Sequence, residues 1–284
     1  MTDLLAALLL GLIEGITEFL PISSTGHLLI AQHWLGHRSD LFNIAIQAGA
    51  ILAVVLIYRQ RLWGLVMAFT GRDMAAPFDP LGVDVRPAQA RAYGFRLLLA
   101  FAVTAAGGLL VKALGWELPE TVAPIAWALI LGGVWMIAAE QLAARRAVQL
   151  GERTEISWTT AVLVGIAQVV AGVFPGTSRS GATIFVALLA GTTNRAAATE
   201  FAFLVGIPTM FAATGYELLA VLRSGDAAHE DWGLLAIAFV TSAITAFVAV
   251  KWLLRYIQTH RFTVFAVYRL VLGAVLLLAV PDLA

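Results

Sequence analysis

The 284-residue chain contains no cysteine, which excludes disulfides, thiolate nucleophiles and cysteine-ligated metals. Charge is scarce too. Asp, Glu, Lys and Arg make up 13% of the residues, and 18 basic side chains cancel 18 acidic ones. Balanced charge gives no pull toward nucleic acid. Soluble domains are about a quarter charged, so the shortage also excludes an ordinary water-facing surface. Hydrophobic residues fill the gap at 60%, with a mean hydropathy of +0.87. The composition describes an integral membrane protein of several spans. At the N-terminus, MTDLLAALLLGLIEG, acidic Asp3 stands where a signal peptide carries positive charge. No small-residue cleavage site follows, so the segment is expected to stay attached.

A helix needs about 20 apolar residues to cross the hydrocarbon core. Uninterrupted candidates run over 41–58, 94–114, 122–140, 198–222, 232–254 and 264–281. Two further apolar stretches, 3–31 and 157–190, are broken by EGITEFLPISSTGH and PGTSRSG. Backbone that leaves the helix at membrane depth survives only inside protein or beside a water-filled cavity. These two stretches are therefore read as re-entrant helical hairpins. The expected fold class is an all-α polytopic membrane protein, about six transmembrane helices plus two hairpins in one membrane domain spanning 1–284.

Loop charges set the expected orientation. Arginines concentrate in 59–96 (Arg59, Arg61, Arg72, Arg86, Arg91, Arg96), in 141–156 (Arg145, Arg146, Arg153) and in 255–263 (Arg255, Arg261). The connection 115–121 carries Glu117 and Glu120, and 223–231 is mostly acidic after Arg223. The positive-inside rule assigns the basic connections to the cytoplasm. Both termini then lie outside, and the two hairpins open to opposite sides. That arrangement predicts an inverted-topology repeat, 1–150 against 151–284. GLIEGITEFLPISSTG (11–26) aligns without a gap on GIAQVVAGVFPGTSRS (165–180), pairing Gly11 with Gly165, Glu14 with Gln168, Pro21 with Pro175 and Ser24 with Ser178. AFAVTAAGGLLVK (100–112) echoes AFVTSAITAFVAVK (238–251). Broken helices in corresponding positions point to a binding site at the repeat interface.

In the first interrupted segment, Glu14 and Glu18 are four residues apart on an apolar helix and share a face. Two carboxylates that close inside a membrane require a proton, a cation or an arginine between them. Pro21 ends the helix, and Ser23, Ser24 and Thr25 fall where the next begins, with His27 in its first turn. Hydroxyls there can cap free amides, and amides at a helix start favour an anion such as phosphate. A serine alone is as readily a plain cap. Two glutamates, three hydroxyls and a histidine inside one apolar run point instead to function. His33 and His37 lie in the following loop and are read as interfacial.

In the second segment, Pro175 and Gly176 mark a break, and Thr177, Ser178, Arg179 and Ser180 start a new helix. A membrane-buried arginine needs an anion, and its planar fork suits phosphate oxygens. Arg179 could equally neutralise Glu14 or Glu18, and the two roles could alternate with substrate occupancy. Thr183 falls one turn beyond Arg179 on the same face. Glu200 and Arg269 are charged residues at or inside span ends, expected to act structurally or behind the site.

The two motifs together resemble the undecaprenyl-diphosphate phosphatase family of the bacitracin-resistance type. EGITEFLPISSTGH (14–27) is similar to that family's glutamate-rich signature and PGTSRSG (175–181) to its second signature, in the same order. The similarity extends to EFAFLVGIP (200–208) and FAVYRL (265–270). The resemblance implies hydrolysis of a C55 polyprenyl diphosphate to the monophosphate lipid carrier and inorganic phosphate, recycling the carrier for cell-wall synthesis, at the outer face of the bacterial inner membrane. It implies a divalent cation, Mg²⁺ or Ca²⁺, with Glu14 and Glu18 as the paired carboxylates. It also implies Ser23, Ser24 and Thr25 as the hydroxyl run, His27 as the signature histidine, and Ser178 and Arg179 as a phosphate clamp.

Two attack schemes fit the residues. Ser24 acts as nucleophile, activated by His27 or Glu18, or His27 or Glu18 activates water directly. The favoured expectation is Ser24 with His27 as its base, Thr177 and Thr183 adding contacts to the phosphates. The lipid tail would lie between spans. A rival class is a polyprenyl-phosphate flippase or transporter, since inverted repeats with broken helices are typical of such proteins. A second rival, lipid phosphatases with the pattern SR-x5-H-x3-D, fails because Phe185 stands at the histidine position. The partners expected are the lipid substrate and the bilayer, and the sequence admits a homodimer without requiring one.

Overall fold

The computed structural model describes residues 2–70, 87–116, 121–224 and 230–279. Among them are eleven helices and no strand. They are α1 (Asp3–Thr17), α2 (Ser24–Leu35), α3 (Asp40–Ile57), α4 (Arg59–Phe69), α5 (Pro87–Ala113), α6 (Val122–Leu150), α7 (Trp158–Val173), α8 (Arg179–Ala190), α9 (Arg195–Ser224), α10 (Trp232–Thr259) and α11 (Thr263–Ala279). Five of them, α3, α5, α6, α9 and α10, are long and apolar enough to cross a membrane. The sixth expected span, α11, has 17 residues, at the lower limit of about 17 for a crossing. Leu109, Leu131, Val134, Ile244, Val248 and Leu278 stand exposed on the outside of the bundle, where lipid rather than water suits them. The protein is an all-α polytopic membrane protein.

Helices run further than their apolar stretches. The span expected at 94–114 begins at Pro87, and the one expected at 122–140 continues to Leu150. The basic connection 59–96, read as loop, holds α4, whose charged first turn carries Arg59 and Arg61. A helix does not end where the hydrocarbon does, because charged long side chains are good helix formers. Glu117, Glu120, Arg72, Arg86 and most of the 72–90 insert lie outside the described residues.

The two interrupted stretches form helical hairpins, α1–α2 and α7–α8, with arms of 15, 12, 16 and 12 residues. Their turns end alike. Ser23 caps α2 at φ 74° and accepts from the Gly26 amide, and Ser178 caps α8 at φ 68° and accepts from the Gly181 amide. These are the two positive-φ residues other than glycine among the described residues. The caps correct the gapless alignment, in which Ser24 falls opposite Ser178. The second turn carries one extra residue, so Ser23 matches Ser178, and Ser24 matches Arg179. Gly176, at φ 95°, has the left-handed backbone that a tight turn accepts most easily from glycine.

Small residues let the hairpins pack closely on the spans. A Cβ on Gly11 or Gly15 would lie 2.5 Å from Ala238 O or Ser242 O of α10, and one on Gly165 would lie 2.7 Å from Ala100 O of α5. Gly11 thus sits on Ala238 as Gly165 sits on Ala100, the pairs that the sequence echoes relate. The buried stripe Ala7, Leu10, Gly11, Glu14 of α1 has the same spacing as Ala161, Val164, Gly165, Gln168 of α7.

Irregular backbone at this depth needs partners for its carbonyls, and Arg269 of α11 provides them. Its side chain is fully buried. Nη1 donates to Pro21 O at 3.4 Å and Thr177 O at 3.0 Å, and Nη2 to Gly176 O at 2.9 Å and Ala128 O at 2.9 Å. Nε donates to Leu129 O at 3.3 Å. One guanidinium therefore ties both turns to α6. Glu200 pairs with Arg61 of α4, Nη2 to Oε1 at 3.0 Å.

Candidate active site

Glu14 and Glu18 occupy consecutive turns at the end of α1, where the Glu18 amide donates to Glu14 O at 2.9 Å. Both side chains are buried. The Glu18 carboxylate is shared between the two hairpins. Oε2 accepts from Ser24 Oγ at 2.5 Å, and Oε1 accepts from Arg179 Nη2 at 2.7 Å. Ser24 is the first residue of α2 and Arg179 the first of α8. Side chains from two helix N-termini therefore meet at one carboxylate, and a helix start carries unpaired amides and the positive end of its dipole. Such a place favours an anion.

The hydroxyl run lines the same turns. Ser178 Oγ lies 3.2 Å from Ser180 Oγ, and Ser180 Oγ donates to Leu20 O at 3.1 Å, which stitches one turn to the other. Non-glycine residues held at positive φ, such as Ser23 and Ser178, cost about 1–3 kcal/mol each and cluster at functional sites. Thr25 lies half-buried in the first turn of α2. Thr177 contributes its carbonyl to Arg269. The Thr183 hydroxyl turns back onto its own helix, donating to Arg179 O at 2.8 Å, and is not brought to the meeting point.

His27 has both ring nitrogens engaged away from Ser24. Nδ1 lies 2.6 Å from Ser23 O and Nε2 lies 2.7 Å from the Tyr268 hydroxyl. A carbonyl only accepts, so Nδ1 carries a proton, and the neutral ring offers Nε2 as acceptor to the Tyr268 O–H. The partner of the Ser24 hydroxyl is Glu18, whereas the sequence reading favoured His27.

Among the described residues no donor reaches the two buried carboxylate oxygens of Glu14, and both polar side-chain atoms of Gln168 are buried without a partner. An unpaired carboxylate in a low-dielectric interior is expensive. Beside Glu18 it offers a hard cation oxygen ligands, the donor type suited to Mg²⁺ or Ca²⁺. No group of three or more acidic, histidine or cysteine side chains converges among the described residues. Further ligands would be phosphate oxygens and water, the usual company of Mg²⁺. The donor set fits such an ion.

A family described as bacitracin resistance protein BacA matches residues 7–275. The chain belongs to the BacA family. Its relatives include an undecaprenyl-diphosphatase of Rhizobium etli (strain CIAT 652), 64% identical over 275 residues covering 97% of this chain and 96% of the relative. An undecaprenyl-diphosphatase of Xanthomonas oryzae pv. oryzae (strain PXO99A) is 57% identical over 284 residues, the full length of both chains. Another, of Xanthomonas axonopodis pv. citri (strain 306), is 56% identical over the same span. The matched stretch contains both interrupted segments and Arg269.

One participant has no signal in the sequence, and two others, Ser180 and Arg269, are named there without their contacts. Tyr268 looks like any aromatic in an apolar helix, and only its contact with His27 distinguishes it. Ser180 was seen at the helix start, but not its bond across to Leu20. The signal for Arg269 was present, a lone arginine in the apolar run FAVYRLVLGAV, yet its five carbonyl partners lie in other segments.

Proposed function

We propose that this BacA-family protein is a membrane-embedded phosphatase that hydrolyses undecaprenyl diphosphate to the monophosphate and inorganic phosphate. The observation that carries this reading is the Ser24 hydroxyl seated on the Glu18 carboxylate, beside Arg179, where the N-termini of α2 and α8 meet. Phosphoryl transfer depends mainly on charge stabilisation and alignment, and this arrangement offers both. The names of the relatives supply the lipid class.

In the resting site Glu18 is the anion between the two helix starts. An incoming diphosphate competes for Arg179, which has five N–H donors in a planar fork, and for the amides of α2 and α8. As Arg179 turns to the phosphate, Glu18 Oε1 is freed while Oε2 stays on the Ser24 hydroxyl as its proton acceptor. Ser24 Oγ attacks the terminal phosphorus, its proton passes to Glu18 Oε2, and the bond to the bridging oxygen breaks. The lipid monophosphate departs with that oxygen. Water then attacks the phosphoserine and its proton passes to His27 Nε2. The P–Oγ bond breaks, Ser24 recovers the proton held on Glu18, inorganic phosphate leaves, and His27 releases its proton to water. Glu14 and Glu18 would hold a divalent cation, which when bound neutralises phosphate charge. Ser23, Ser178 and Ser180 keep the two turns in register, and Thr25 and Thr177 lie at their edges.

The charge pattern of the connections supports a site open to the periplasmic face of the inner membrane. There the reaction would recycle the lipid carrier for cell-wall synthesis and confer bacitracin resistance. The matching caps, glycine contacts and buried stripes support two inverted repeats, 1–150 and 151–284. One chain carries both halves of the site, so the reaction needs no second copy. The direct test is inorganic phosphate release from a C55 or C15 polyprenyl diphosphate by detergent-purified protein. Ser24→Ala and Arg179→Ala should each abolish it. Wild-type release rates in both variants would overturn the assignment.

A further inference from the structure

Tyr268 and Arg269 are neighbours on α11, and the rotation of that helix about its axis is not free. The guanidinium of Arg269 is held by carbonyls of both hairpin turns and of α6. Gly133 of α6 packs on the backbone of α11, where an added Cβ would lie 2.9 Å from Ala266 O. Adjacent residues on a helix project about 100° apart, so fixing Arg269 also fixes the direction of Tyr268. The phenol is thereby registered against the turn it serves. Its hydroxyl lies 2.7 Å from His27 Nε2, and the two rings lie almost parallel, 8° apart with centroids 5.7 Å apart.

At the other end of the imidazole, Nδ1–H is anchored on Ser23 O at 2.6 Å, the carbonyl of the positive-φ cap residue. His27 is thus gripped at both nitrogens. The grip selects the tautomer with its proton on Nδ1 and puts the basic nitrogen on Tyr268, leaving the resting Ser24 hydroxyl to Glu18. Tyr268 is 43% exposed, whereas Glu18 and Ser24 are buried, so that basic nitrogen lies nearer the surface of the protein than the Ser24 hydroxyl does. Two bases are therefore set at different depths.

We propose that Tyr268 is a positioning residue for the second half-reaction, holding His27 as the Nδ1–H tautomer with Nε2 nearer the surface, where the attacking water arrives. This rests on the two-step reading through phosphoserine given above. Tyr268 makes no covalent bond. Its hydroxyl donates to Nε2 between turnovers and yields that position to water when the phosphoserine is hydrolysed.

The experiment compares wild type, Tyr268→Phe, His27→Ala and the double variant with a polyprenyl diphosphate labelled in its terminal phosphate. Phenylalanine keeps the ring packed on His27 and removes only the hydroxyl, whose loss is expected to lower kcat about tenfold. Slowing phosphoserine hydrolysis lowers kcat and KM together, so kcat/KM should stay at the wild-type value and acid-quenched Tyr268→Phe should retain more label on Ser24. The double variant should be no slower than His27→Ala, because the phenol acts through the imidazole. A fall in kcat/KM matching that in kcat, or additive losses in the double variant, would overturn the positioning role. Label on Ser24 with wild-type turnover in Tyr268→Phe would overturn it too and leave the two-step reading standing. No label in any variant, His27→Ala included, would overturn both.

Discussion

Ser24 and Arg179 belong to different hairpins, yet each is the first residue of its helix and each bonds the Glu18 carboxylate, at 2.5 Å and 2.7 Å. The one-residue insertion at Gly176 makes them equivalent positions. One hairpin offers a nucleophile there and the other an anion-binding fork, and the acid between them answers to both. Such an arrangement makes Glu18 a switch whose contacts follow the position of Arg179.

Glu18 and Arg179 should consequently be coupled. Glu18→Gln removes the proton acceptor of Ser24 and should lower kcat by about 10²–10⁴. Arg179→Lys keeps the charge but loses the planar fork, and should raise KM as well as lower kcat. The double variant should lose less than the product of the single losses, because each substitution disables the same step. Phosphate-release kinetics on all three check this, and fully multiplicative losses would count against the switch.

A second expectation concerns the guanidinium that joins the turns. A methyl group on Gly132 of α6 would fall on Arg269 Nη2 and Cζ, and the five carbonyl bonds leave the guanidinium little room to yield. Gly132→Ala should destabilise by about 1–3 kcal/mol, the usual range for overpacking. It should also depress activity, since both turns shift with Arg269. Gly108 has nothing within 4 Å of an added Cβ, so Gly108→Ala should leave both properties near wild type. Thermal unfolding in detergent and phosphate release on the same samples make the comparison. Equal Tm and equal rate for the two variants would refute the role given to Arg269.

Glu14 bears on the cation. Its two oxygens are buried and no donor among the described residues reaches them, so removing their charge should leave the fold intact and weaken the metal. Glu14→Gln is expected to need at least about tenfold more Mg²⁺ or Ca²⁺ for half-maximal activity, in line with the loss of a charged oxygen ligand. EDTA should abolish activity in both proteins and added metal should restore it. An unchanged metal requirement in Glu14→Gln would remove Glu14 from the cation site.

Much of this was readable in residue order, because membrane depth punishes polar groups and so makes the meaningful ones conspicuous. The breaks at Pro21 and Pro175, the carboxylate pair Glu14 and Glu18, and the hydroxyls and arginine beyond them stand out against apolar surroundings. What was hidden depends on distance across the bundle. Whether Ser24 would meet Glu18 or His27 turns on the Ser23 backbone, which swings His27 toward Tyr268. The register between hairpins was misjudged by one because a gapless alignment cannot see that Gly176 is an added turn residue. Helix α4 was read as loop because Arg59, Gln60 and Arg61 open it with polar side chains. Tyr268 carried no signal of its own, since an aromatic in a span most often faces lipid or the interface.

Ser24 as nucleophile, with Glu18 beside it, is the centre of the mechanism. Wild-type protein mixed with a polyprenyl diphosphate labelled in its terminal phosphate, quenched in acid within a turnover and digested, should yield one labelled peptide. That peptide should contain Ser24, the label should build up further in His27→Ala, and it should be absent from Ser24→Ala. Full release of labelled phosphate by Ser24→Ala, or turnover in wild type and His27→Ala with no labelled peptide in either, would contradict the account.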